Sequence, residues 1–68
     1  MTNTLLLRQK IQESGMKMQA VAERLGLTYQ GLLNKMNNVR EFKASELFLL
    51  RELLRLSEAE FDEIFFAA

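Results

Sequence analysis

Residues 21–28 read VAERLGLT, and this stretch determines how the helices on either side of it are joined. Ala22 is expected where the two helices approach most closely, since a larger side chain would push them apart. Gly26 permits the tight turn between them, because glycine adopts a left-handed backbone without a Cβ penalty. The crossing angle would then be fixed by three apolar side chains: Val21, Leu25 and Leu32. The stretch therefore predicts a helix, a turn of about three residues and a second helix.

The rest of the chain shows the same helical spacing of apolar residues, interrupted at intervals by glycine, asparagine or serine. The hydrophobic fraction is 49%, there is no proline, and 68 residues make a single domain. The predicted helices span residues of about 4–14, 18–25, 28–36, 45–55 and 58–66. The expected N-caps of the last three helices are Thr28, Ser45 and Ser57. The predicted fold class is all-α, a compact bundle of five helices.

The composition excludes most catalytic and metal chemistry. The chain has neither cysteine nor histidine, which removes thiolate nucleophiles, imidazole bases, disulfides and nearly every zinc site. An enzyme would then need paired carboxylates, and the clustered acids are Glu58, Glu60, Asp62 and Glu63. Carboxylates in the first turn of a helix are favoured by the helix dipole, which explains this cluster better. We therefore expect no enzyme, no metal and no cofactor.

The net charge of zero conceals an asymmetry along the chain. Residues 1–45 carry seven cations and three acids, whereas residues 46–68 carry two cations and six acids. Two interpretations remain open. The basic half could present one face to a polyanion, or solvated helix faces could simply be segregated by charge.

Membrane insertion is not expected. The longest apolar runs, at residues 5–7 and 48–50, are far shorter than the roughly 20 residues that span a bilayer. No signal-peptide pattern precedes them. We expect a soluble, intracellular protein without a membrane partner or a small-molecule ligand.

The stretch 21–28, followed by a helix with Leu32 facing inward, resembles the helix-turn-helix of phage repressor and Cro-like (XRE-type) transcriptional regulators. The chain resembles their short phage-encoded form. The resemblance implies a lambda-repressor-like DNA-binding fold whose helix-turn-helix is formed by the second and third helices. It also implies a transcriptional repressor or regulator in the cytoplasm of a bacterial or phage-infected cell, with the helix at 28–36 in the major groove of double-stranded DNA.

The resemblance assigns base contacts to the third helix, because in this family its N-terminal side chains reach the base edges. The matching residues here are Tyr29, Gln30 and Asn34. Glutamine and asparagine amides can donate and accept together, which matches N6 and N7 of adenine, and tyrosine can pack on a thymine methyl group. The alternative is an ordinary polar helix face in water.

Phosphate contacts would supply affinity and register without sequence information. The candidates near the third helix are Thr28, Lys35, Arg40 and Lys43. At the start of the second helix the family has a threonine cap and then a glutamine that binds phosphate, where this chain has Lys17 and Met18. Met18 cannot make that contact, so Lys17 and Gln19 are its candidate replacements.

The resemblance also implies a homodimer on DNA, with recognition helices roughly 34 Å apart on an inverted-repeat operator. Possible dimer contacts are Phe48, Phe65 and Phe66, for which core packing is the alternative. A second hypothesis is a protein-interaction module that keeps this scaffold and binds a partner through its apolar fourth and fifth helices. The zero net charge and the departure at Lys17 and Met18 favour the second hypothesis.

Overall fold

The first four helices each end within two residues of a left-handed backbone, at Gly15, Gly26, Asn38 and Arg55 respectively. The computed structural model describes residues 1–67. The helices in that range are α1 (Thr4–Ser14), α2 (Met18–Arg24), α3 (Tyr29–Met36), α4 (Ala44–Leu53) and α5 (Glu58–Phe65). These residues contain five helices and no strand, which confirms the all-α prediction. Across the same residues, a helix with the length and apolar character of a membrane span is absent.

Two of the three predicted N-caps are confirmed. The Thr28 side chain accepts a hydrogen bond of 3.0 Å from the Gly31 N–H and so caps α3. At α5, the Ser57 hydroxyl oxygen accepts from the Glu60 N–H at 3.1 Å, and the Glu60 carboxylate accepts from the Ser57 N–H at 2.8 Å. Each pair satisfies N–H groups that the first turn of a helix leaves without an intrahelical partner.

The prediction for α4 was wrong at both ends. Ser45 is not the cap, because α4 begins one residue earlier and Lys43 takes the N-cap position. The Lys43 N–H donates a 2.8 Å hydrogen bond to Glu46 Oε1, so a side chain from inside the first turn does the capping. The helix ends at Leu53 because Arg55 adopts a left-handed φ of 53°. Helices α2 and α5 end one residue before the predicted boundary.

The turn between α2 and α3 has the conformation predicted from residues 21–28. Gly26 has a φ of 72°, a backbone angle that residues other than glycine adopt only at an energetic cost. The Leu27 N–H donates to the Ala22 carbonyl at 2.9 Å, closing the C-terminus of α2. Residues 25–28 alone separate α2 from α3, and the two helices pack against each other.

The core gathers apolar side chains from all five helices and from the segment before α5. Its buried members are Leu7, Ile11, Val21, Ala22, Leu25, Leu32, Met36, Leu50, Leu56, Phe61, Ile64 and Phe65. All the apolar scaffold residues predicted around the α2–α3 turn are among them. Phe42, in the loop before α4, is half-buried and packs edge-on against Phe65, with ring centroids 5.8 Å apart.

The first residues of the chain hold the C-terminal end of α3. The Thr2 N–H donates to Asn38 Oδ1 at 2.7 Å, and Asn38 Nδ2 donates back to the Thr2 carbonyl at 2.9 Å. The Thr4 hydroxyl donates to the carbonyl of Met36, the last residue of α3. Asn38 itself adopts a φ of 64° and terminates the helix. The end of α3 is therefore fixed by side chains as well as by its own turn.

An ion pair joins α1 to α5. The Lys10 ammonium donates a hydrogen bond to the Glu60 carboxylate, which also accepts from the Ser57 N–H. The hydrogen bond from Lys10 and those from Ser57 lower the pKa of Glu60 to about 2. The hydrogen bond that Lys10 donates to Glu60 likewise raises the pKa of Lys10.

The Glu60 interactions make the stability of the fold depend on pH. The pKa of Glu60 falls from 4.5 to about 2 on folding, so its contribution is complete above pH 4.5 and is lost as the pH falls towards 2. We expect Glu60→Gln to destabilise the protein near neutral pH and to cost progressively less below pH 4.5. Urea unfolding across this range measures the difference.

Glu58→Gln is the matched control for Glu60→Gln, because Glu58 lies exposed in the same first turn. It should change stability less near neutral pH. A destabilisation by Glu60→Gln that stays constant as the pH falls would contradict the assignment.

Candidate nucleic-acid interface

The outward face of α3 is opposite the residues that α3 buries. Leu32 and Met36 are completely buried in the core. At about 100° per residue, positions 30 and 34 lie roughly opposite Leu32 around the helix axis. Gln30 is exposed and Asn34 is half-buried. The structure thus brings two of the predicted base-contacting residues together on one side of α3, one turn apart.

The amides of Gln30 and Asn34 bond to each other. Gln30 Nε2 donates a 3.0 Å hydrogen bond to Asn34 Oδ1, a normal length for such a bond. Side chains four residues apart are neighbours on a helix, so the spacing of Gln30 and Asn34 in the sequence could have predicted this contact. The prediction from sequence gave each side chain its own base contact and did not include this hydrogen bond.

Tyr29 is the first residue of α3 and is 49% exposed. It follows Thr28, whose hydroxyl is engaged in capping. Gly31, one residue beyond Gln30, lies close to this cap. A Cβ at this position would lie 3.0 Å from Thr28 Oγ1, the capping oxygen, which would have to move by a few tenths of an ångström. The N-terminus of α3 therefore combines a side-chain cap with two exposed polar residues, Tyr29 and Gln30.

The structure contradicts the prediction that Lys35 contacts phosphate. Its side chain is only 10% exposed, and Nζ donates to Glu46 Oε1 at 2.6 Å and to Oε2 at 2.8 Å. The reason lies in helical geometry, because position 35 is only about 60° from Leu32 and so lies on the buried side of α3. Lys35 holds α3 to the start of α4 and is not free to bind a polyanion.

Glu46 is the acceptor that makes the burial of Lys35 possible. Burial alone would raise the pKa of Glu46, but hydrogen bonds from the Lys35 ammonium and the Lys43 N–H outweigh it and lower that pKa. The carboxylate therefore stays charged in a position only 8% exposed. The Glu46 side chain therefore both caps α4 and neutralises the buried Lys35 of α3.

The other predicted phosphate-contacting residues are all exposed. Lys17 takes the N-cap position of α2, where it makes no side-chain cap, and Gln19 lies in the first turn of that helix. Arg40 and Lys43 lie in the loop that follows α3. Met18 is half-buried against the core, as expected of a residue that cannot bind phosphate. Exposed cations thus precede α2 and follow α3, while Thr28 lies between the two helices.

The structure also contradicts the assignment of Phe65 to a dimer contact. Phe65 is only 6% exposed and packs edge-on against Phe61, with centroids 5.3 Å apart, and against the loop residue Phe42. Phe48 is 59% exposed and Phe66 is 63% exposed. These two residues are exposed, Phe48 on α4 and Phe66 directly after α5.

The exposed ring of Phe66 borders a shallow groove of about 350 Å³. Phe42, Leu47 and Phe65 form the apolar part of this groove, and Arg40 contributes a cation to it. On the opposite side of α4, Leu49 is 45% exposed and borders a second groove of about 270 Å³. Residues 1–67 contain no group of three acidic side chains placed to hold a metal ion together.

Comparison with known proteins finds no matching family model, no similar curated protein and no similar solved structure. The assignment of a function therefore depends on the site geometry and on the sequence resemblance.

The ion pair between α3 and α4 leads to a stability prediction. We expect Lys35→Met to lower the free energy of unfolding by about 3 kcal/mol, because it leaves the Glu46 carboxylate buried without its cation. The double variant Lys35→Met/Glu46→Gln should recover much of that loss, since a neutral amide can still accept from the Lys43 N–H. Chemical denaturation of the three proteins measures the difference.

Lys17→Met is the matched control, because Lys17 is an exposed lysine outside the core. Its stability should stay within about 0.5 kcal/mol of the parent. Equal effects of Lys35→Met and Lys17→Met would show that the buried pair contributes nothing specific.

Proposed function

We propose that this chain is a sequence-specific double-stranded DNA-binding protein, a transcriptional repressor or regulator with a lambda-repressor-like helix-turn-helix formed by α2 and α3. The observation that carries the proposal is the outward face of α3. Gln30 and Asn34 lie on the side of the helix opposite the buried Leu32 and Met36. An α-helix fits the major groove of B-DNA, where amide side chains can contact base edges.

The distribution of exposed charge supports the same orientation. Lys17 precedes α2, and Arg40 and Lys43 follow α3, all three on the surface. A protein that inserts α3 into the major groove would bring residues at both flanks close to the phosphates of the DNA backbone. Phosphate contacts fix register and supply most of the salt-dependent affinity.

Selection of bound sequences from random duplex DNA tests the proposal. The parent should enrich a defined motif, and Gln30→Ala should relax one base position in it by about 5- to 150-fold, the discrimination of one bidentate contact. Gln12→Ala is the matched control, because Gln12 is an exposed glutamine on α1. Failure of the parent to enrich any motif would overturn the proposed function.

The salt dependence of binding tests the phosphate contacts separately. Lys17→Ala and Arg40→Ala should each weaken binding to all duplexes alike and reduce the slope of log affinity against log salt by about 1. Arg55→Asn is the control, because asparagine tolerates the left-handed backbone of this exposed position beyond α4. An equal slope change in Arg55→Asn would show that general charge is being measured.

A second candidate function has its own supporting observation, the exposed apolar side chains of α4 and the end of α5. Phe48, Leu49 and Phe66 are 59%, 45% and 63% exposed. Such residues are suited to an interface with another protein or with a second copy of this chain, as a dimer on an inverted repeat would require. This function and DNA binding are compatible, since they use different helices.

The mass of the protein in solution shows whether these apolar side chains bind a second copy of the chain. If the apolar residues mediate self-association, sedimentation should show a parent dimer at high concentration or on DNA, and Phe48→Asp or Phe66→Asp should convert it to a monomer. Glu63→Ala, an exposed change on α5, should leave the mass unchanged. A parent that stays monomeric under both conditions would exclude the homodimer.

A further inference from the structure

We propose that Asn34 is a positioning residue, which holds the Gln30 amide ready to contact an adenine in the major groove. This inference rests on the proposed DNA-binding function. It gives different roles to two residues that were both predicted from the sequence to contact bases. Its basis is the 3.0 Å hydrogen bond from Gln30 Nε2 to Asn34 Oδ1. The bond fixes which end of each amide faces its neighbour.

The remaining hydrogen-bonding groups of Gln30 match adenine. A glutamine Nε2 carries two hydrogens, and Asn34 engages one of them. The second N–H can donate to adenine N7 while Oε1 accepts from the N6 amino group. Guanine presents two acceptors in the groove, which would place its O6 against Oε1, and thymine and cytosine each offer a single partner.

The positions of the two residues along α3 favour this division. Gln30 is the second residue of the eight in α3, and Asn34 is the sixth. In helices that enter the major groove, the N-terminal side chains contact the base edges. Asn34 is also half-buried, whereas Gln30 is exposed. Gln30 is therefore the better placed of the two to contact a base, and Asn34 is better placed to support it.

The support matters because an unrestrained glutamine loses rotamer freedom when it binds. Immobilising one flexible side chain at an interface lowers affinity by about 2- to 10-fold. A hydrogen bond formed before binding removes part of that cost. Gln30 is immobilised only by a base that both groups of its amide recognise. Asn34 should therefore affect base discrimination at that one base pair.

The test compares base preferences, position by position, for parent, Gln30→Glu, Asn34→Ala and Asn34→Asp. Gln30→Glu identifies the base pair that position 30 contacts, since a carboxylate accepts from cytosine N4 and shifts the preference from adenine. At that base pair we expect Asn34→Ala to lower adenine discrimination by about 2- to 10-fold and to leave other positions unchanged. Asn34→Asp keeps an acceptor for Gln30 Nε2, so adenine discrimination should persist despite weaker overall binding.

Several results would overturn the inference. An effect of Asn34→Ala at a different base pair would show that Asn34 contacts a base itself, and no effect at the Gln30 base pair would show that it does not position Gln30. Loss of discrimination in Asn34→Asp would also contradict it. Failure of the parent to select any sequence would instead refute the proposed function.

A measurement without DNA keeps the inference testable if a variant binds too weakly. The order parameter of the Gln30 side-chain amide should fall in Asn34→Ala and stay near the parent value in Asn34→Asp. Circular dichroism verifies that each variant is folded. An order parameter that Asn34→Ala leaves unchanged would exclude positioning in the free protein.

Discussion

The turn between α2 and α3 is the constraint on which the candidate interface depends. Gly26 adopts a φ of 72°, and the Leu27 N–H bonds back to the Ala22 carbonyl, so α2 stops there. Thr28, the next residue, then caps α3. With its start fixed in this way, α3 must place Leu32 in the core, and Gln30 follows on the opposite side.

The buried pair of Lys35 and Glu46 supplies a second constraint on α3, because it fixes the helix against the start of α4. Together with the pair of Lys10 and Glu60, it also changes the interpretation of the charge asymmetry. Two of the seven cations in residues 1–45 are engaged by acids from residues 46–68. Part of the asymmetry therefore stabilises the fold, and the surface that remains for a polyanion depends on cations such as Lys17 and Arg40.

The sequence predicted the elements that depend on local chemistry. The caps at Thr28 and Ser57 and the turn at Gly26 follow from the properties of neighbouring residues, and the structure has them. It could not predict contacts between distant residues. Lysine is usually a surface residue, and Lys35 is buried because it pairs with Glu46, eleven positions away. Phe65 likewise packs against Phe42, a loop residue far from it in the sequence.

Nuclear magnetic resonance of the isotope-labelled protein tests the proposed contact between the outward face of α3 and DNA. The duplex selected by the parent would be titrated into the protein while backbone and side-chain amide shifts are followed. If this contact forms, the largest changes should fall on residues 28–34 and on the side-chain amides of Gln30 and Asn34. Changes concentrated on α4 and α5, with α3 unaffected, would contradict it.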